Sequence, residues 1–272
     1  MTLHAASREA LGLAETRLGE VVGEAGTDPS AVGEELLAVV TLLDSEVGLR
    51  RALADGTSDP QARTRMLRGL LDGKVSEPSL RVLDAVVGNR WSSPRELVDG
   101  LESLGRSALL SSAERAGKID EVERQLFRLA RIVVGSRELD RALSDQAAPA
   151  EAKRTLVRTL FASKVDPVVQ ILVEQVVQRL RGRGIGKALD GLVALAAQRR
   201  ERSVAQVTSA SPLSDEQRQQ LSDKLRQIYG RPIALHVEID AALGGGLIIK
   251  VGDEVIDGSA SGRLAALRRQ LA

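Results

Sequence analysis

The sequence predicts a mainly α-helical chain, in which a duplicated six-helix-type bundle is followed by a small α/β domain at the C-terminal end. Three observations support this fold class. Helical spacing of apolar residues dominates the chain before residue 203. The sequence also matches itself after a shift of ninety residues. Alternation typical of β-strands begins only at residue 203.

Amphipathic helices with recognisable start signals fill the first part of the chain. Leu3, Leu13 and Leu18 belong to an apolar stripe that predicts the first helix. The second helix follows Asp28, whose carboxylate can cap it, and Pro29, which suits a first helical turn. Further helices are predicted at 49–53, 60–71, 78–87 and 94–104.

The ninety-residue repeat needs no gap over its best-matched part. Residues 49–75 align with residues 139–165, and twelve of the forty-four positions from Val32 to Val75 are identical in the second copy. The shared positions include turn residues and a closing Lys-Val pair, which chance similarity between leucine-rich helices does not explain. We therefore predict three parts: a first copy at 1–104, a second copy at 105–202, and the small domain at 203–272.

The pattern of the last seventy residues differs from that of the helical part. A strand is predicted at 203–210 and a helix at 214–230. From Ile233 to Ile239, every second residue is apolar, which predicts a strand with one buried face. Three glycines from Gly244 then permit a sharp turn. Two more strands follow, at 247–251 and 254–256, with a hairpin turn at 252–253 and a final helix after residue 259.

This C-terminal stretch resembles the signature of the delta subunit of F-type ATP synthase, the family of the mitochondrial oligomycin-sensitivity-conferring protein. The order of strand, glycine pair, apolar strand and V-I-D-G-S motif is matched from Ile233 to Ser259. The resemblance implies that these residues build the structural, stalk-binding domain. The residues that carry it are Ile233, Leu235, Asp240, Leu243, Gly245, Gly246, Lys250, Gly252, Asp253, Asp257, Gly258 and Ser259.

The resemblance implies a non-catalytic stator subunit. In the family, a single six-helix bundle binds the N-terminal segments of the alpha subunits in the catalytic head. The C-terminal domain binds the b subunit of the peripheral stalk, and the joint resists rotary torque during proton-driven ATP synthesis. Here the second copy holds the usual place of the bundle, because 105–134 resembles the family's opening helices. The partner groove would lie at Leu3–Val22 in the first copy, or at Leu104–Ala116 with Val168–Leu180 in the second.

No group of residues in the sequence points to catalysis, a cofactor or a metal. The chain has no cysteine, and His4 and His236 have no partner at ligand spacing. Residues 182–187 lack the spacing of a phosphate loop, and 258–262 has alanine where a nucleophile elbow has its serine. We therefore predict that the chain is not an enzyme on its own and holds no cofactor or metal ion.

Two other classes of protein stay open: a helical adaptor of another assembly, and a nucleic-acid-binding module. The second would use a basic cluster at 179–202, where seven basic and two acidic residues give a net charge of +5. The cluster has no aromatic residue and the whole chain carries only +1, so solvated helix ends are favoured, then an acidic protein partner. Its basic members are Arg179, Arg181, Arg183, Lys187, Arg199, Arg200 and Arg202.

The location of the protein is predicted from signals that the sequence lacks. The N-terminal residues do not have the basic-then-apolar order of a signal peptide. No apolar run approaches the roughly eighteen residues needed to span a bilayer. We therefore expect a soluble chain at the cytoplasmic face of the cell membrane, held there through partner subunits.

Overall fold

The computed structural model describes residues 3–180, 182–202, 204–229, 233–252 and 254–260. The predicted fold class is confirmed, because helices fill the chain up to residue 202 and a four-stranded sheet follows. The chain divides into two compact units, one formed by Met1–Ala113 with Val133–Ile185 and the other by Glu114–Ile132 with Gly186–Ala272. The domain boundaries at 104 and 202 stay predictions.

The described residues form helices up to residue 202, and after it four short strands with one further helix between the first two. The helices are α1 (Ala5–Gly23), α2 (Pro29–Ser45), α3 (Val47–Leu53), α4 (Pro60–Leu71), α5 (Glu77–Gly88), α6 (Pro94–Arg115), α7 (Ile119–Gly135), α8 (Arg137–Ser144), α9 (Ala150–Phe161), α10 (Pro167–Gln178), α11 (Ile185–Arg202) and α12 (Asp215–Tyr229). The strands are β1 (Val204–Ser209), β2 (Ala234–Ile239), β3 (Leu247–Val251) and β4 (Glu254–Asp257), with a short 3₁₀ helix at Ala241–Leu243.

The duplication is visible in the backbone and in a repeated ion pair. After the ninety-residue shift, α2 falls on α7, α4 on α9 and α5 on α10, with equal lengths. Arg68 on α4 pairs with Asp84 on α5 at 2.6 Å. At the equivalent positions, Arg158 on α9 pairs with Glu174 on α10 at 3.0 Å. The same helix-to-helix link therefore fixes this hairpin in both copies.

The turn after the fourth helix also repeats, with a change of residue. Gly73 has a φ of 71°, and its equivalent Ser163 has a φ of 61°. In both copies this residue is the third of a turn closed by a backbone hydrogen bond, from Lys74 to Leu71 and from Lys164 to Phe161. Serine occupies a left-handed backbone position there that favours glycine.

The sixth helix is longer than the sequence pattern predicted. We expected it to end at Leu104, but α6 continues to Arg115. It therefore completes the first copy and begins the second without a break. Gly105 does not end the helix, because its role is close packing: an added Cβ would lie 2.8 Å from Cγ of Leu37 on α2. Gly33 on α2 meets α6 in the same way, since its Cβ would lie 2.9 Å from the Gly105 carbonyl oxygen.

The core of the first copy confirms most of the predicted helical stripes. Asp28 caps α2 by accepting a hydrogen bond from the Ser30 amide at 2.9 Å. Trp91 is buried as an interhelix plug, and its indole N–H donates to the carbonyl of Val86 at 2.7 Å. The prediction that Leu13 faces this core is wrong: Leu13 is exposed. The α1 stripe instead consists of Ser7, Ala10, Ala14, Leu18, Val21 and Val22.

The C-terminal sheet has the strand order β2-β1-β3-β4. Strand β1 pairs in parallel with β2 and antiparallel with β3, and β3 forms an antiparallel hairpin with β4. Ala205, Val207 and Val251 on the sheet and Leu225 on α12 form the buried core of this part. Helix α12 therefore covers one face of the sheet.

Candidate functional site

The glycine turn and the D-G-S segment of the signature form one closed backbone joint. Gly244, Gly245 and Gly246 all have positive φ values, of 65°, 140° and 81°. An added Cβ at Gly246 would overlap the carbonyl oxygen of Gly258 and lie 3.0 Å from Cα of Ser259. Because only a hydrogen fits there, Gly246 lets the two segments touch.

Hydrogen bonds hold the two segments of this joint together. The amide of Gly258 donates to the carbonyl of Leu247 at 2.9 Å, and the amide of Ala260 donates to the carbonyl of Gly245 at 2.8 Å. The carboxylate of Asp257 accepts from the hydroxyl of Ser259 at 2.6 Å and from its amide at 2.9 Å. These two donors lower the pKa of Asp257 below its ordinary value.

Asp240 and Leu243 position the turn that precedes the glycines. The Asp240 carboxylate caps the 3₁₀ helix by accepting from the Ala242 amide at 2.9 Å. The Asp240 amide donates to the carbonyl of Ser209 at 2.8 Å, which ties the end of β2 to the end of β1. Leu243 is buried. Both residues therefore support the backbone of the turn.

The apolar signature residues of β2 divide between the core and solvent. Ile233 is buried, and Leu235 and Val237 pack against the sheet core. The prediction that Ile239 continues this buried face is wrong, because Ile239 is 60% exposed. The apolar alternation thus identifies the strand, but it does not show at which residue burial by the rest of the domain ends.

Lys250 and Gly252 lie at the β3–β4 hairpin. Lys250 is exposed on β3, and Gly252 has a φ of 59°, as a tight turn requires. Asp253 and the predicted final helix lie outside the described residues. The signature residues therefore shape a joint and a hairpin, and Lys250 is the basic side chain among them that is exposed on a strand.

The face of the sheet opposite α12 carries a row of four side chains from four strands. The register places His236, Gln206, Lys250 and Val255 next to one another in that order. All four are exposed. The sequence pattern indicated His236 as a strand-face residue and the family resemblance indicated Lys250, but neither indicated Gln206 or Val255 as site residues. Their alternation with the buried residues of β1 and β3 is the signal that could have found them.

The two candidate grooves of the helical part differ in what they expose. On Leu104–Ala116, the apolar residues Leu104, Ala108, Leu109 and Leu110 are all buried. Helix α10 is buried along most of its length as well. On α1, the side opposite the core is open, and an added Cβ at Gly12 or Gly19 would meet nothing within 4 Å. Of these candidate helices, α1 therefore has an open outer side, whereas the apolar residues of Leu104–Ala116 are already buried.

A buried polar network joins α6 to α10 and α2. Glu102 is only 2% exposed and accepts from Gln175 at 2.9 Å and from Arg179 at 3.0 Å. Arg106 also pairs with Glu102, and Arg179 reaches Asp44 on α2 at 2.5 Å. The network links helices of the first copy with a helix of the second, within one compact unit.

Three of the seven basic residues in the cluster at 179–202 pair with acidic side chains of the protein itself. Arg179 is buried in the network described above. Arg199 pairs with buried Glu114 at 2.8 Å, and Arg200 pairs with Glu123 at 3.2 Å. Arg181 and the side chain of Arg202 lie outside the described residues, and Arg183 and Lys187 are exposed. Three of the seven charges are therefore engaged by acidic partners, which weakens the hypothesis of a basic surface for nucleic acid.

The described ranges contain neither a candidate metal cluster nor a candidate membrane-spanning helix. No group of three or more His, Asp or Glu side chains in them could hold a metal ion. In the same ranges, no helix combines the length and hydropathy needed to cross a bilayer.

Comparison with known proteins identifies the class to which this helical chain with a C-terminal sheet belongs. The sequence model of the family described as ATP synthase delta (OSCP) subunit matches residues 107–271. This range takes in the last turns of α6, from residue 107, the rest of the proposed second copy and the proposed C-terminal domain. The chain belongs to the ATP synthase delta (OSCP) family.

Full-length relatives have the duplicated part as well. A protein of Nocardia farcinica named ATP synthase subunit delta is 45% identical over 270 residues, which cover 99% of this chain and 100% of the relative. Proteins of the same name from Streptomyces griseus and Rhodococcus opacus are 42% and 43% identical and cover 99% of this chain. Because the alignments span nearly all of both chains, these relatives include residues equivalent to the first copy.

Proposed function

We propose that this chain is a non-catalytic stator subunit of an F-type ATP synthase, and that it links the catalytic head to the peripheral stalk. The observation that carries this function is the 45% identity to an ATP synthase delta subunit over essentially the whole chain. The delta family consists of non-catalytic subunits of the complex. The alternative of a helical adaptor for an unrelated assembly loses its support, because the family match spans both the helical part and the sheet.

We assign the head-binding role to the helical part and the stalk-binding role to the C-terminal domain. In this proposal the N-terminal segments of the alpha subunits contact the helices, and the b subunit contacts residues after 202. Three parts with boundaries at 104 and 202 remain our proposed division of the chain. The protein would sit at the cytoplasmic face of the cell membrane, attached through its partner subunits.

The free face of α1 is our proposed seat for an alpha-subunit helix. An amphipathic partner helix docks by laying its apolar stripe along exposed helices. The outer side of α1 is open at Gly12 and Gly19, and Leu13 is exposed on the same helix among charged residues. The candidate helix of the second copy, Leu104–Ala116, offers no exposed apolar side chain among Leu104, Ala108 and Leu109.

The physical design of the helical unit supports a load-bearing role. Rotation of a central shaft exerts a reaction torque on the head, so a stator joint must transmit force without hinging. A continuous α6 joins the copies, and the close crossing at Gly33 and Gly105 packs α2 against it. The buried network around Glu102 adds charge-assisted hydrogen bonds across the same join. The copies therefore share structure instead of being joined by a flexible linker.

Co-purification tests the proposed function directly. An affinity-tagged full chain would be recovered from detergent-solubilised membranes, and the associated proteins would be identified by mass spectrometry. We expect the alpha subunit and the b subunit to be recovered. A matched chain ending at residue 202 should retain the alpha subunit and lose the b subunit. Recovery of neither subunit with the full chain would refute the proposed linkage.

Salt dependence separates this function from nucleic-acid binding. A site that neutralises phosphates loses affinity steeply as ionic strength rises, whereas an apolar helix contact changes little. We therefore expect the alpha subunit to stay bound to the chain when the salt concentration of the wash is raised. Tight binding of DNA or RNA at physiological salt would favour the nucleic-acid alternative instead.

A further inference from the structure

We propose that the stalk partner lies on the open face of the C-terminal sheet, with a partner carboxylate paired to Lys250 and an apolar partner side chain on Val255. The occupant is an amphipathic segment of the b subunit with Asp or Glu along one edge. This inference rests on the proposed function, because it names the contact surface and chemistry of the proposed stalk-binding domain.

One face of the sheet is already covered by helix α12. Ala205 and Val207 of β1 and Val251 of β3 point to the same side and are buried with Leu225 of α12. Leu235 and Ile249 pack against this cluster from the neighbouring strands. A partner cannot reach these side chains without displacing α12. Docking on a face of the sheet must therefore use the opposite side.

The opposite side combines polar and apolar side chains within one row. Gln206 lies between His236 and Lys250, and Lys250 lies beside Val255. Val255 is 58% exposed, although valine in a strand is usually packed on one side. In the next row, half-buried Ile248 extends the apolar area beside Val255. An apolar partner side chain would remove this area from water.

The charge on Lys250 has no acidic partner among the described residues. The nearest cleft, of about 510 Å³, is lined by Lys250, Gln206 and Gln198 together with Arg200 and Glu201. Arg200 is already paired with Glu123. The amides of Gln198 and Gln206 can donate hydrogen bonds to a carboxylate that pairs with Lys250. Two basic side chains and one acidic side chain, Glu201, line the cleft, so it fits an acidic partner side chain better than a basic one.

Other charges on this face do not replace that carboxylate. Glu238 is in the next row, at the opposite edge from Asp257. The carboxylate of Asp257 is engaged by Ser259. Acidic side chains of a partner that lies along the row from His236 to Lys250 would face the ammonium group of Lys250. They would not lie over Glu238 or Asp257, which belong to the next row. Charge complementarity thus selects both the chemistry of the partner and its side of the sheet.

Binding of a synthetic peptide from the C-terminal segment of the b subunit of the same ATP synthase tests the proposal. The affinity of the full chain would be measured by isothermal titration calorimetry for the wild type, Lys250→Glu and Val255→Thr. Charge reversal at Lys250 should weaken binding by about tenfold or more. Val255→Thr keeps the β-branched shape and should weaken it by roughly threefold to tenfold.

Lys224→Glu is the matched control, because it makes the same charge change on exposed α12, which covers the other face of the sheet. Its affinity should stay within about twofold of the wild type. If the wild type binds the peptide and Lys250→Glu binds it equally well, or if Lys224→Glu weakens binding as much as Lys250→Glu does, the proposed contact surface is wrong. The assignment of the C-terminal domain to the stalk would still stand. No binding of the peptide to the wild-type chain would overturn the stalk assignment and this surface together.

Discussion

Substitution of Gly246 by alanine provides a sharp test of the backbone joint in the C-terminal domain. Gly246 has a φ of 81°, and its α-carbon faces the carbonyl of Gly258 so closely that a methyl group would overlap that oxygen. Two effects add at this position. The left-handed backbone is unfavourable for alanine, and the methyl group must push the D-G-S segment away from the glycine turn.

The magnitude follows from these two effects. A left-handed conformation costs an alanine about 1–2 kcal/mol. Separating the segments breaks the Gly258–Leu247 and Ala260–Gly245 hydrogen bonds, of 2.9 and 2.8 Å, each worth about 0.5–1.5 kcal/mol. The free energy of opening of the sheet should therefore fall by about 2–5 kcal/mol, provided both bonds are lost.

Hydrogen exchange measured by mass spectrometry is the suitable assay, because it reports opening of the sheet separately from the helical unit. We expect amides of β3 to exchange roughly 30-fold faster or more in Gly246→Ala. Gly244→Ala is the control: its φ is 65°, and an added Cβ there meets nothing within 4 Å. It should show only the conformational cost, about 1 kcal/mol. Equal exchange in the two variants would refute the role assigned to close packing at Gly246.

Three further predictions concern the helical unit. Ser163→Gly should raise the free energy of unfolding by about 0.5–1 kcal/mol, because glycine relieves the left-handed strain at a φ of 61°. Gly73→Ser should lower it by a similar amount. A change of the thermal unfolding temperature in the same direction for both variants would contradict this explanation. Glu102→Ala should lower the free energy of unfolding by about 1.5–3 kcal/mol, since the buried guanidinium of Arg179 loses its hydrogen bond to Glu102 but keeps its pairing with Asp44, and a loss below about 1 kcal/mol in urea unfolding would argue against the network. Hydrogen bonds from the side chains of Thr57 and Ser58 lower the pKa of Asp55 to about 2, so the unfolded chain binds more protons between about pH 2 and 4 and stability rises with pH there. In unfolding measured over a pH series, Asp55→Asn should flatten that rise, and an unchanged slope would be the contrary result.

Local patterns in the sequence were sufficient for the fold class and most elements. The start of α4 at Pro60 and its end at Leu71 follow from a proline and a turn. The equivalent bounds in the second copy, at Ala150–Phe161, follow from the repeat. These signals are short-range, so they can be read without knowledge of tertiary contacts.

The errors arose where tertiary packing decides the outcome. Gly105 resembles a helix end in sequence, but it marks a close crossing with Gly33, seventy-two positions away in the chain. Leu13 fits an apolar stripe, yet the smaller Ala10 and Ala14 fill the core side of α1. Strand alternation similarly identified β2 but not the exposure of Ile239. Helix continuity and side-chain cover depend on which elements meet, and periodicity alone does not contain that information.

The proposed docking surface was only partly predictable. Lys250 emerged from the resemblance to the delta family. Its neighbours Gln206 and Val255 became apparent from the strand register, since they come from β1 and β4. A row of side chains across a mixed sheet requires the strand order, and the order β2-β1-β3-β4 is not specified by the sequence of strands along the chain.

Proton-driven ATP synthesis in membrane vesicles tests most directly whether this chain connects the head to the stalk. Vesicles containing the full chain would be compared with vesicles containing a chain that ends at residue 202, in otherwise identical complexes. With the shortened chain, we predict loss of ATP synthesis while the released head continues to hydrolyse ATP. Synthesis at the full-chain rate would contradict the account, because it would mean that torque is resisted without the C-terminal sheet.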